Sequence, residues 1–171
     1  MWLHGAAGAG KTAIAQSITE RCQELKIAIA SFFFFRGDHT RNSIQPLVAT
    51  LAYQLALIYP IAKEKIIRAI EHDPLTFERS FETQLKRVIL KPLLQLKTYR
   101  NPALVIVIDG LDECEGRQVQ ASIIRTISDA VKDETKNLPL LFLIASRPEQ
   151  HLTMAFSSRE VVGVCDSRQY E

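Results

Sequence analysis

The residue types that could do chemistry come early in the chain. Gly5-Ala6-Ala7-Gly8-Ala9-Gly10-Lys11-Thr12 follows the order G-x-x-x-x-G-K-[ST] without deviation. Glycines at this spacing allow a tight turn whose backbone N–H groups face inward and cradle phosphate oxygens. A helix that starts near Gly10 aims its positive end at the same anion. Lys11 places a point charge on the outer phosphates, and the Thr12 hydroxyl is a ligand for Mg²⁺. Gly5, Ala6, Ala7, Gly8, Ala9, Gly10, Lys11, Thr12 and Ala13 are therefore the expected nucleotide-contacting stretch. The alternative is a Gly/Ala-rich turn before a helix with no ligand. It is disfavoured by the strand-like residues before the turn and the helical run after it.

A second group lies far downstream. Residues 103–108 are aliphatic without interruption and end in Asp109-Gly110-Leu111-Asp112-Glu113. Such a run suits a strand buried on both faces, as in a parallel sheet. An acid at its C-terminal end sits where open α/β sheets bind ligands. Asp109 is the expected Mg²⁺ carboxylate beside Thr12. Asp112 and Glu113 are candidates to orient or deprotonate an attacking water, with Glu113 preferred. A third apolar run, 138–145, ends in Ser146-Arg147-Pro148. Arg147 there either reaches a γ-phosphate or is an ordinary exposed arginine before a proline turn.

These residues need elements to bring them together. The pattern predicts strands at 1–4, 27–35, 104–109, 140–145 and 160–164. Helices are expected at 11–25, 44–59, 61–71, 77–97, 117–135 and 149–156. The third of the inserted helices carries Phe77, Phe81, Leu85, Val88, Ile89, Leu93 and Leu96 on one face, with a kink expected at Pro92. Strands alternating with helices imply an α/β, doubly wound parallel sheet, with a helical insertion between the second and third strands.

Composition narrows the class. The 171 residues suffice for one domain with a real core, and 47% hydrophobic with 23% charged is ordinary globular usage. A net charge of +2 with no Lys/Arg run argues against a nucleic-acid partner. Cys22, Cys114 and Cys165 cannot all pair and suit no zinc site. No secretory leader is read at the start, so an intracellular, cytoplasmic setting is expected. Residues 42–62 carry no charge and are long enough to span a bilayer, but Pro46, Gln54 and Pro60 favour a buried helix over a membrane span.

In these motifs the chain resembles the NACHT domains of STAND-class P-loop NTPases, in particular those of fungal NOD-like receptor proteins. The resemblance rests on 2–12 (WLHGAAGAGKT), the Phe-rich second strand ending in Phe35-Arg36, PLVATLAYQL at 46–55, IDGLDEC at 108–114 and IASRPE at 144–149. It implies a three-layer P-loop NTPase core with sheet order 5-1-4-3-2. It implies Mg²⁺-dependent binding and slow hydrolysis of ATP or GTP, with nucleotide exchange acting as a signalling and oligomerisation switch. Lys11, Thr12, Asp109 and Arg147 match the family's phosphate, magnesium and sensor positions, and Asp112 and Glu113 its acidic pair. Homo-oligomerisation through the core of a longer parent is implied as well. The effector, lid and winged-helix modules of such proteins are not found in the sequence, so a fragment or truncated form is expected, with 1–171 as a single NTPase core. The competing reading is a non-enzymatic interaction module in which nucleotide is structural or absent. A small-molecule kinase is weaker, because no arginine-rich lid segment is present.

Overall fold

The computed structural model describes residues 1–95, 104–133 and 140–170. Five strands form one parallel sheet: β1 (Trp2–His4), β2 (Ala28–Phe33), β3 (Leu104–Asp109), β4 (Leu140–Ser146) and β5 (Ser167–Gln169). Their order is β2-β3-β4-β1-β5. Read from the other edge this is the 5-1-4-3-2 order expected. The chain reverses direction across the sheet between β1 and β3, with β4 seated between them, and crevices for ligands open at such points.

The sheet is covered on both sides because successive residues of a strand face opposite ways. Leu3, Ile29, Val107, Leu143 and Ala145 pack with Ala15 and Cys22 of helix α1 (Lys11–Glu24). The larger core lies on the other face. There Trp2, Ala30, Phe32, Ile106, Ile108, Phe142 and Ile144 meet α2 (Gln45–Ile58), α3 (Pro60–His72) and α6 (Arg117–Asp133). Ile123, Ile124 and Ile127 of α6 are buried, and Val119 and Val131 pack partly against them. β2 is an edge strand, and α2 protects it: Gln54 Nε2 donates to Ser31 O and Ser31 N donates to Gln54 Oε1, both at 2.8 Å.

The uncharged 42–62 stretch is not one span. It breaks at Tyr59-Pro60, with α2 ending at Ile58 and α3 starting at Pro60, where a first-turn proline loses no helical hydrogen bond. Among the described residues no helix is long and apolar enough to cross a membrane.

Two expectations are corrected. The helix expected from Phe77 begins at Phe81 instead. A 3₁₀ turn (Thr76–Glu78) precedes it, and Ser80 caps it by accepting from Thr83 N at 3.3 Å. It runs as α4 (Phe81–Gln84), a π-helical stretch (Leu85–Leu90) and α5 (Lys91–Leu94). The widened turns come just before Pro92, whose ring crowds the carbonyl four residues back. Its expected last residues, Leu96 and Lys97, lie outside the described residues, as does Thr135 of the next helix.

The second correction is at 160–164. Arg159–Val162 is a short helix, α8, following α7 (Gln150–Phe156). Val161 is buried there, and the last strand is β5 further on.

Candidate phosphate and metal site

The turn between β1 and α1 has a geometry that suits an anion. Gly8 and Gly10 have φ of +78° and +83°, values that cost a side-chain-bearing residue energy. Gly10 is also the N-cap of α1 and offers no side-chain acceptor to the first N–H groups of the helix. The first turn of α1 holds no acidic residue. Its exposed donors and positive dipole end are thus left for a ligand. Lys11 Nζ folds back onto the loop, donating to Gly5 O at 2.8 Å and Ala6 O at 2.7 Å. Both acceptors are uncharged, so a phosphate oxygen would compete with them favourably.

A cavity of about 260 Å³ opens over this turn, lined by Ala7, Gly8, Gly10, Lys11, Thr12, Asp109, Gly110, Asp112, Glu113 and Arg147. Residues from the first turn, from the end of β3 and from the end of β4 therefore share one wall. Of the expected contact residues, Gly5, Ala6, Ala9 and Ala13 do not line it. Gly5 serves a different packing need. A Cβ there would lie 2.2 Å from Tyr170 O, because the residue after β5 crosses it and Tyr170 N donates to His4 O at 2.7 Å.

The acids differ in environment. Asp109 is 4% exposed and receives a hydrogen bond from the Thr12 side chain. Burial raises its pKa above the usual carboxylate value, the Thr12 and Gly110 hydrogen bonds oppose this, and the Asp112 and Glu113 charges add to the rise. A cation at Asp109 would offset the same cost. Gly110 then turns the chain with φ +69°, and a Cβ there would stand 3.0 Å from Phe34 O. Asp112 is 3% exposed, and its carboxylate is fully engaged. Oδ1 accepts from Arg147 N at 2.9 Å, and Oδ2 pairs with Arg147 Nε at 3.4 Å. Glu113 is half-buried, and its Oε2 accepts from Arg36 N at 2.9 Å.

The arrangement assigns distinct capacities. Asp112 holds Arg147, so Glu113 is the acid freer to meet a water. Among the described residues no group of three or more His, Cys, Asp or Glu side chains could hold a metal unaided. The Thr12 hydroxyl with Asp109 is the donor set that suits Mg²⁺, which takes one or two protein oxygens and completes its shell from phosphates and water. Three acids against two cations line the wall. A polyphosphate would need a divalent counter-charge to enter.

Three side chains here carried no role in the sequence reading. Arg36 follows β2, Gln120 lies on α6 and His151 on α7, and each reaches the Asp112–Cys114 segment directly or through another. A glutamine inside an amphipathic helix gives no sequence signal of such a task. Arg36 stood out only as part of a motif.

A family model described as Nephrocystin 3, N-terminal matches residues 1–147, from β1 through Arg147, and it is not the NACHT model itself. No curated protein matches the chain.

Proposed function

The chain belongs to the Nephrocystin 3, N-terminal family, and from that premise we propose that it is a NACHT-type P-loop NTPase core that binds a nucleoside triphosphate, ATP or GTP, with Mg²⁺ and hydrolyses it slowly. The observation that carries the reading is the single cavity shared by Lys11, Thr12, Asp109, Glu113 and Arg147 at an uncapped helix N-terminus. On binding, Lys11 leaves the Gly5 and Ala6 carbonyls for the outer phosphates. The backbone N–H groups of the turn donate to the oxygens of the inner ones. Thr12 and Asp109 would hold Mg²⁺, which would neutralise phosphate charge. Glu113 orients the attacking water and takes its proton. Arg147, aimed by Asp112, senses the γ-phosphate. In a longer parent, loss of that phosphate would relax Arg147 and act as a switch for signalling through self-association.

The test is a thermal melt with and without Mg·ATP or Mg·GTP, paired with a phosphate-release assay. Ligand at one hundred times its dissociation constant should add about 2.7 kcal/mol of stability, and phosphate should appear only with Mg²⁺. No melting shift with either nucleotide would refute the reading.

A second reading is an interaction module that binds nucleotide without turning it over. It is supported by the apolar corner where Tyr53, Leu57, Ile58 and Ile61 stand exposed at the α2–α3 junction. A melting shift with no released phosphate would favour it.

A further inference from the structure

The peptide joining Asp112 to Glu113 is gripped from two sides. From the solvent side, Arg36 Nη2 donates to Asp112 O at 2.9 Å. From inside, Gln120 Nε2 donates to the same oxygen at 3.3 Å and to Cys114 O at 2.6 Å. The Gln120 amide cannot be reversed, because both backbone partners are acceptors. Its Oε1 is therefore an acceptor too, so the His151 Nε2 that lies 2.5 Å away carries the proton and donates. Gln120 is only 4% exposed. An apolar side chain would fill that space without the cost of burying an amide. The amide instead satisfies two carbonyls of the short 3₁₀ turn, Leu111–Glu113, and its C-cap. Arg36 adds a further hold through its backbone N–H on the Glu113 carboxylate. None of these three clamping residues lines the cavity.

We infer that Arg36 and Gln120, with His151 orienting the latter, are positioning residues that fix the Glu113 carboxylate over the phosphate site. The inference rests on the hydrolytic reading above, in which Glu113 is the base. It adds that turnover depends on elements remote from the nucleotide: the β2 end, the first turns of α6 and the start of α7. A carboxylate on an unclamped turn would sample many positions, and misplacement by about 1 Å costs a catalytic group up to about a hundredfold.

The experiment uses Arg36→Met, Arg36→Lys and Gln120→Leu in the full chain, with three readouts. Phosphate release under saturating Mg·ATP should fall about tenfold or more in Arg36→Met and Gln120→Leu, while the nucleotide dissociation constant stays within about twofold of the parent, since neither side chain touches the ligand. Arg36→Lys retains a donor and should recover most of the rate.

The third readout is local. Cys114 is buried in the clamped segment, and Cys22 is buried on the inner side of α1 against the opposite sheet face. Alkylation followed by peptide mass spectrometry should show Cys114 labelling rising about tenfold in the two clamp-breaking variants, in line with a loosened turn, with Cys22 unchanged. Equal rises at both cysteines would mean general destabilisation and would overturn the inference. Unchanged turnover in Arg36→Met, the exposed and foldable variant, would do the same. A parent that binds nucleotide but releases no phosphate would instead defeat the hydrolytic reading. Selective Cys114 labelling in that case would leave the clamp standing as a structural device.

Discussion

Lys11 and Glu113 share one cavity, and the proposed reading gives them different tasks that substitution should separate. Lys11→Ala removes a charge-assisted contact worth about 1.5–3 kcal/mol. Nucleotide affinity should drop by at least about tenfold, read by titration of a fluorescent analogue. Glu113→Gln keeps the volume and the acceptor to Arg36 N but loses the base. Binding should survive, and phosphate release should fall about 10²–10⁴-fold. Two variants with the parent's affinity and rate would remove these residues from the site. At this scale the glycine-rich turn was legible in sequence, because its glycines stand at fixed spacing between a strand and a helix. Glu113 was already preferred over Asp112 for the water, but the pairing that occupies Asp112 was not legible. It depends on which carboxylate faces Arg147, and that is set by the turn Gly110 makes at φ +69°.

Among the elements, two local devices hold the site's surroundings. Gln54 closes the β2 edge with paired hydrogen bonds to Ser31. Gln54→Ala should cost about 1–3 kcal/mol by denaturant unfolding, from two bonds of about 1 kcal/mol each and an exposed strand edge. The other device is the loop after β2, closed by Phe35 N donating to Arg41 O at 3.0 Å. Within it Asp38 accepts from the Thr40 hydroxyl and amide and pairs with Arg41, contacts that hold its pKa at about 2 against an ordinary 3.8. A depressed carboxylate stabilises the fold above its unfolded pKa and loses that contribution as pH falls through the folded one. The loop's protection should therefore decline between about pH 3.8 and 2, and Asp38→Asn should flatten that limb of an acid titration followed by hydrogen exchange at Phe35, whose N–H closes the loop. Element legibility tracked burial. β3 ran over 104–109 as expected because all its side chains are apolar but the last. β5 was missed because Ser167, Arg168 and Gln169 are polar and exposed and join the sheet through their backbones, which leaves no hydrophobic pattern. Val161, Val162 and Val164 suggested a strand nearby, but tertiary packing of Val161 against the core outweighed β-branched propensity.

For the molecule as a whole, the sheet order has a consequence in time as well as space. Trp2, Leu3 and His4 pair only with Ile144, Ala145 and Ser146 on one side and with Ser167, Arg168 and Gln169 on the other. β1 thus finds its neighbours only after β4 and β5, both far along the chain, are available, since long-range parallel pairing waits on loop closure. Until then the glycine-rich turn has no rigid stem, however complete its glycines and lysine. A chain stopped before Leu140 should show no nucleotide-dependent melting shift, whereas the full chain should, and a shift in the shortened form would mean the turn organises itself. A copy of this chain still lacking β4 and β5 would consequently carry a turn with no stem to hold it, so the pocket can take shape only once those two strands are in place.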